Sequence, residues 1–255
     1  MPVIAIINRK GGSGKSTTAT HVAAWLATQG FHVMLGDIDR QQSTRAWLSR
    51  RDPTLPAIQP WAVDHNRMLK APSGVTHVVL DTPGSLYGFE LAKVVMACDV
   101  ILMPVCNSIF DRDSALACYA ELQTLPRVAA GKCSVAAVGM RVDARTGGAA
   151  KLAEWAAAAN IPLLGSLRET QLYVRGLELG MSIFDLPVGL TEKDRLQWEP
   201  ILNWLRPRVS VKSTLPVPDA LTEPVKPTVA PSVLSRFLQA QRAARSAERE
   251  LQYLN

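Results

Sequence analysis

A chain of 255 residues is long enough for one sizeable domain with a full core and some chain to spare. With 47% hydrophobic and 20% charged residues, the composition is ordinary for a soluble globular protein, and no apolar run reaches the roughly 18–20 residues that a bilayer-spanning helix needs. The formal charge of +6 is uneven, because residues 206–255 hold eight Lys/Arg against four acids, so the sign alone does not establish a nucleic-acid partner. The opening MPVIAIINRKGG is too short in its apolar part for a signal peptide, and the chain is expected in the cytoplasm. Cys98, Cys106, Cys118 and Cys133 include no CxxC pair, so buried reduced thiols are expected rather than a disulfide frame or a zinc site.

In chain order, a strand is predicted at Val3–Asn8, then a helix over Ser16–Gln29 closed by Gly30, a residue suited to a left-handed cap. A second strand (His32–Asp37) precedes a helix over Gln42–Arg50, and a third (His77–Asp81) precedes a helix over Phe89–Ala97. Strands at Val100–Val105 and Val135–Met140 alternate with helices over Arg112–Leu125 and Gly148–Ala159. A weaker strand at Leu163–Leu167 and a helix over Lys193–Leu205 complete the body. Strands alternating with helices predict an α/β domain over residues 1–206, with a mostly parallel twisted sheet covered by helices on both faces. His21, Trp25, Trp155, Trp198 and Trp204 read as packing residues.

After Leu205 the composition changes. Six prolines from Pro207 to Pro231 forbid regular structure, so 207–231 reads as an extended linker. Residues 232–255 then read as an amphipathic helix, N-capped by Ser232, with Val233, Phe237, Ala240, Ala244, Ala247, Leu251 and Leu254 at heptad spacing. A lone helix of this length is marginal in water and calls for a partner surface. A linker of this length reaches about 25–30 Å as a coil, enough to present the helix away from the body to a protein partner. Its alanine-rich seam, with Phe237 as the one bulky aromatic, argues against a membrane anchor.

The chemistry concentrates where the first strand meets the first helix. In Lys10-Gly11-Gly12-Ser13-Gly14-Lys15-Ser16-Thr17, glycines let oxygen atoms approach the backbone amides, and the helix N-terminus adds partial positive charge. Such a loop binds phosphates, with Lys15 reaching the β/γ positions and the Ser16 hydroxyl ligating Mg²⁺. The general pattern wants glycine at position 9, where this chain has Arg9, and Lys10 is an added lysine. This form resembles the deviant Walker A motif of the ParA/MinD family of ATPases. That resemblance implies ATP and Mg²⁺ as cofactors, an ATP-bound homodimer, and Lys10 reaching across to the partner's phosphates.

Two further segments fit the same family over residues 2–205. Gly36-Asp37-Ile38-Asp39-Arg40-Gln41 is similar to its DxDPQ motif, with Arg40 replacing proline. The resemblance assigns Asp39 to the attacking water and Asp37 to the magnesium shell. His77-Val78-Val79-Leu80-Asp81-Thr82-Pro83-Gly84 resembles a Walker B strand running into a switch loop, with Asp81 holding Mg²⁺. Gly84 and Gly88 would let that loop change shape.

Residues 167–185 look most like short ParA and MipZ-type proteins, which have no N-terminal DNA-binding domain. The resemblance places a nonspecific DNA surface at Arg168 and Arg175, and relates Asp143-Ala144-Arg145-Thr146 to the segment near the adenine base. It implies an ATPase that positions a plasmid, chromosome locus or protein body on the nucleoid, and whose hydrolysis a ParB-like or adaptor protein stimulates. The alternative is a MinD-like ATPase that binds membrane through its C-terminal helix. Iron-protein relatives hold a cluster through cysteines in glycine-flanked loops, which Cys98 and Cys133 lack.

Overall fold

The computed structural model describes residues 1–61, 74–143, 145–210 and 233–243. Within them, seven parallel strands form one sheet: β1 (Val3–Ile6), β2 (Val33–Asp37), β3 (Ile58–Trp61), β4 (His77–Asp81), β5 (Val100–Val105), β6 (Ser134–Val142) and β7 (Leu163–Arg168). The helices are α1 (Lys15–Thr28), α2 (Ser43–Arg50), α3 (Gly88–Val95), α4 (Ile109–Thr124), α5 (Pro126–Ala129), α6 (Gly148–Ala158), α7 (Gln171–Glu178) and α8 (Val188–Val209). The expected α/β class, with the parallel sheet buried on both faces, is what the chain adopts.

The sheet order is β3-β2-β4-β1-β5-β6-β7, so the chain leaves β1 in one direction and later returns past it in the other. Loops at the carboxyl ends of β1, β4 and β5 diverge at this reversal, which is where open α/β sheets form ligand crevices. Alternation along the strands divides the core. Ile4, Ile6, Leu35, Val79 and Leu102 pack with α1 and α8, whereas Ala5, Ile7, Val78, Leu80, Ile101 and Met103 pack with α3, α4 and α6. His21 is fully buried in the first layer, stacked 5.6 Å from Trp198, and edge-on to Tyr173 and Phe184. Its Nε2 accepts from the Ile183 N–H and its Nδ1 meets the Thr17 carbonyl at 2.8 Å, so it packs as expected.

Several elements differ from the sequence expectation. The edge strand β3 went unpredicted because its residues Gln59 and Pro60 are exposed and proline is a poor strand former. The last helix starts earlier and runs to Val209 through Pro200 and Pro207, so the body extends beyond residue 206. Packing overrides proline here: Leu205 and Val209 are buried, and the Val209 carbonyl meets His77 Nε2 at 2.8 Å.

Residues 211–231 of the expected linker, Ser232, and 244–255 of the expected tail helix lie outside the described residues. Residues 233–243 are helical, as expected, but they are not held away from the body. Val233 and Phe237 are buried against Leu55, Met181 and Leu186, so these two seam residues find their covering surface within the chain.

Candidate nucleotide site

The loop after β1 is anchored before it turns. Asn8 is buried; its Nδ2 donates to the Pro104 carbonyl at 2.7 Å, and its Oδ1 accepts the Lys10 N–H at 3.0 Å. Gly12 and Gly14 then take left-handed backbone angles (φ +72° and +97°) that delay the helix until Lys15. Lys15 folds back into the loop it closes, donating from Nζ to the Lys10 carbonyl at 3.0 Å. Burial lowers its pKa, while the Asp81 and Asp39 carboxylates act in the opposite sense.

Asp81 ends β4 beside β1, paired in register with Ile6, and beside β2, paired with Asp37. It is almost fully buried, and neither carboxylate oxygen has a hydrogen-bond partner. Burial raises its pKa to about 7, with the Asp37 and Asp39 charges adding to the effect; Ser16 and Lys15 lower it without overcoming desolvation. The buried Ser13 hydroxyl is likewise unpartnered. A buried carboxylate without a donor, beside a serine hydroxyl and a lysine at a helix N-terminus, fits a magnesium–phosphate group. Ser16 and Asp81 are the residues that would hold the metal.

The two aspartates after β2 have separate jobs. The Asp37 Oδ2 accepts from Thr44 N (2.9 Å), Thr44 Oγ1 (2.7 Å) and Arg45 N (3.3 Å), capping the start of α2. Its Oδ1 accepts the Asp39 N–H at 3.0 Å. The Asp37 carboxylate, expected in the magnesium shell, lies in register beside Asp81 and is here engaged by the backbone it organises. Asp39 lies beyond the strand, is partly exposed, and acts electrostatically on both Lys15 and Asp81.

The loop after β4 presses on the phosphate loop. Thr82 Oγ1 donates to the Ile6 carbonyl at 2.7 Å, and a Cβ on Gly84 would lie 2.9 Å from Gly11 N and 3.1 Å from Arg9 O. Any shift of the Gly11 amide is thus felt at Gly84. Sequence reasoning missed α4 as a second anchor of this region. Arg9 pairs with Glu121, whose Oε1 also accepts the Gly88 N–H at 2.8 Å, and Lys10 Nζ lies 3.1 Å from Asp111. Asp111 accepts from the Ser108 hydroxyl, which in turn accepts the Asp111 N–H, a serine-to-acid capping signature readable at positions 108 and 111.

The basic residues assigned to DNA are committed elsewhere. Arg175 is buried at 8% exposure on α7, and Arg168 is bound in a forked pair to the buried Asp194 at 2.8 and 2.9 Å. A DNA surface drawn from these two would use side chains that the fold already engages. Asp143 and the exposed Arg145 pair with one another at 2.9 Å, and Ala144 lies outside the described residues.

Comparison with known proteins bears on this geometry. A family model described as the CobQ/CobB/MinD/ParA nucleotide binding domain matches residues 4–249. The chain is 38% identical over 104 residues to "Maintenance of carboxysome distribution protein A" of Gloeobacter kilaueensis, covering 40% of this chain and 48% of that protein. It is 28% identical over 194 residues to the protein of the same description from Halothiobacillus neapolitanus, covering 72% and 87%. Among solved structures, Aquifex aeolicus MinD superposes with a TM-score of 0.64 at 18% identity, covering 86% of this chain and 100% of that one. A variant of Cyanothece McdA in complex with ATP superposes with a TM-score of 0.59 at 17% identity, covering 84% and 98%. At such identities these two speak for the fold.

Proposed function

The chain belongs to the CobQ/CobB/MinD/ParA nucleotide-binding family, and from that premise we propose that it is a Mg²⁺-dependent ATPase that dimerises on ATP and positions a cargo. The observation that carries the reading is the buried Asp81 carboxylate, satisfied by no hydrogen bond, beside Ser16 and Lys15. Bound Mg²⁺ would supply charge neutralisation between the phosphate oxygens. Gly11 to Thr17 cradle the phosphates, Lys15 binds the β/γ oxygens, and Ser16 and Asp81 hold the metal. Asp39 orients the attacking water.

Lys10 is the residue that crosses to a partner subunit, meeting phosphoryl charge as an arginine finger does. Its surroundings support this: Ile109 and Phe110 are exposed, as are Tyr87 and Phe89 at the start of α3, and a second copy would cover them. The dimer binds DNA nonspecifically in the cytoplasm and nucleoid, and an adaptor protein stimulates hydrolysis and release. The relatives named for carboxysome distribution support a positioned cargo, as does the 48% identity over 48 residues to the Thermus thermophilus protein named chromosome-partitioning ATPase Soj. Arg168 contributes to a DNA surface only by leaving Asp194. The membrane-bound alternative asks Val233 and Phe237 to leave the body.

Phosphate release, dimer fraction and DNA affinity against salt test the reading together. Lys15→Ala should abolish nucleotide binding, and Lys10→Ala should keep some binding but lose dimerisation and turnover. Asp39→Ala should accumulate an ATP-bound dimer with little hydrolysis. DNA affinity of the ATP form should fall steeply with salt. A wild-type chain that stays monomeric with a non-hydrolysable ATP analogue and Mg²⁺ overturns the proposal.

A further inference from the structure

The helical residues 233–243 occupy a groove that neither sheet face contributes to. Val233 and Phe237 are 3% and 0% exposed and join Leu55, Met181 and Leu186 in a buried cluster separate from the two main cores. Leu172, Leu179 and Leu238 flank it. At the rim, Arg236 Nη2 donates to Asp52 Oδ2 at 2.6 Å. The groove therefore receives an amphipathic helix through a valine, an arginine three residues on and a phenylalanine four residues on, the spacing of a helix-in-groove ligand.

What the helix grips matters for the site above. Asp52 and Leu55 lie in the connection directly after α2, and Asp37 and Asp39 lie directly before it. The two ends are joined by eight helical residues. The lower end is fastened to the segment beneath the groove: Arg51 forms a forked, buried pair with Asp185 at 2.9 and 2.8 Å, and Trp47 Nε1 donates to the Met181 carbonyl at 3.4 Å. At the same junction a Cβ on Gly180 would overlap the Arg50 carbonyl carbon at 2.5 Å.

The occupant is nevertheless joined to α8 by a long connection, residues 210–232, whose sequence holds prolines at 216, 218, 224, 227 and 231. Only two of its side chains are fully seated, and Ser235, Arg236, Gln239, Arg242 and Ala243 face solvent. A tethered ligand with so few anchors meets its groove at an effective concentration on the order of millimolar and can still leave it.

We propose that residues 233–243 are a releasable clamp on this groove, docked in cis, and that they steady the lower end of α2 and thereby the setting of Asp39 at its upper end. The second half of this proposal rests on the ATPase reading; the first does not. Hydrogen–deuterium exchange on the full-length chain, read beside phosphate release, tests both. Amides of 233–243 should exchange roughly tenfold or more slowly than in a synthetic peptide of the same sequence. Phe237→Asp should bring them to the peptide rate and quicken exchange in 51–56 and 179–186. It should leave β1, β4 and β5 unchanged, and lower kcat several-fold at constant KM for ATP.

Arg236→Glu should weaken the protection, and adding Asp52→Arg should restore it. Peptide-like exchange in the wild-type chain overturns the clamp. So does loss of protection throughout β1 and β5 in Phe237→Asp, which would make the segment part of the core. Protection that grows with protein concentration would place the docking between copies and overturn the cis arrangement. An unchanged kcat overturns the link to Asp39. A wild-type chain that releases no phosphate defeats the ATPase reading and leaves the exchange result to decide the docking.

Discussion

Gly84 touches the backbone of Arg9 and Gly11 where any side chain would stand, and that backbone cannot retreat without deforming the phosphate loop. Gly84→Ala should therefore weaken Mg²⁺–ATP-analogue binding by roughly tenfold while the protein stays folded, as titration calorimetry beside a melting curve would show. His21 makes a different prediction. Burial holds its pKa at about 4, so between there and its ordinary value near 6.5 the unfolded chain binds a proton that the folded chain refuses. Stability from this residue is present above that window and falls by about 3 kcal/mol as pH drops through it. Asp81, raised to about 7, acts in the opposite sense over much of the same range, so the wild-type profile alone would hide both. The stability gap between wild type and His21→Gln should narrow by about 2.5 kcal/mol from pH 7 to pH 4.5 in urea unfolding.

At the level of elements, α2 separates two aspartates that look alike in sequence. Asp37→Ala removes the cap from Thr44 and Arg45 and should cost about 1–2 kcal/mol of stability. Asp39→Ala should leave the melting temperature nearly unchanged while abolishing hydrolysis; calorimetry and phosphate release together separate the two roles. The DxDPQ-like motif presents the two side by side, and the fold separates them: β2 ends at Asp37, and Asp39 turns back to donate its own N–H to that carboxylate.

Other elements were legible to different degrees for similar reasons. The loop from Lys10 to Thr17 and the strand ending in Asp81 are contiguous in sequence and carry their own context. Helix α7 was not foreseen, although Thr170 accepts from the Leu172 N–H as a cap, because Gly176 and a length of eight residues blurred its period. The pairs Arg9–Glu121 and Lys10–Asp111 join residues about a hundred positions apart, and no local pattern announces them.

For the whole molecule, alternating buried strands and helices were enough to specify a parallel sheet covered on both sides, since such strands must bury both faces. The same pattern could not say where the tail goes. A heptad seam states that one helix face is apolar, not which surface receives it, and the receiving groove is assembled from residues 55, 181 and 186, which are distant in sequence.

An open sheet also ends somewhere, and among the described residues one margin is β3, with Pro60 exposed near its end. A proline there removes one amide hydrogen from any ladder a further strand would build, which discourages edge-to-edge pairing. Copies of the chain that meet at that margin are thus denied one of the bonds from which a continuous fibril register grows.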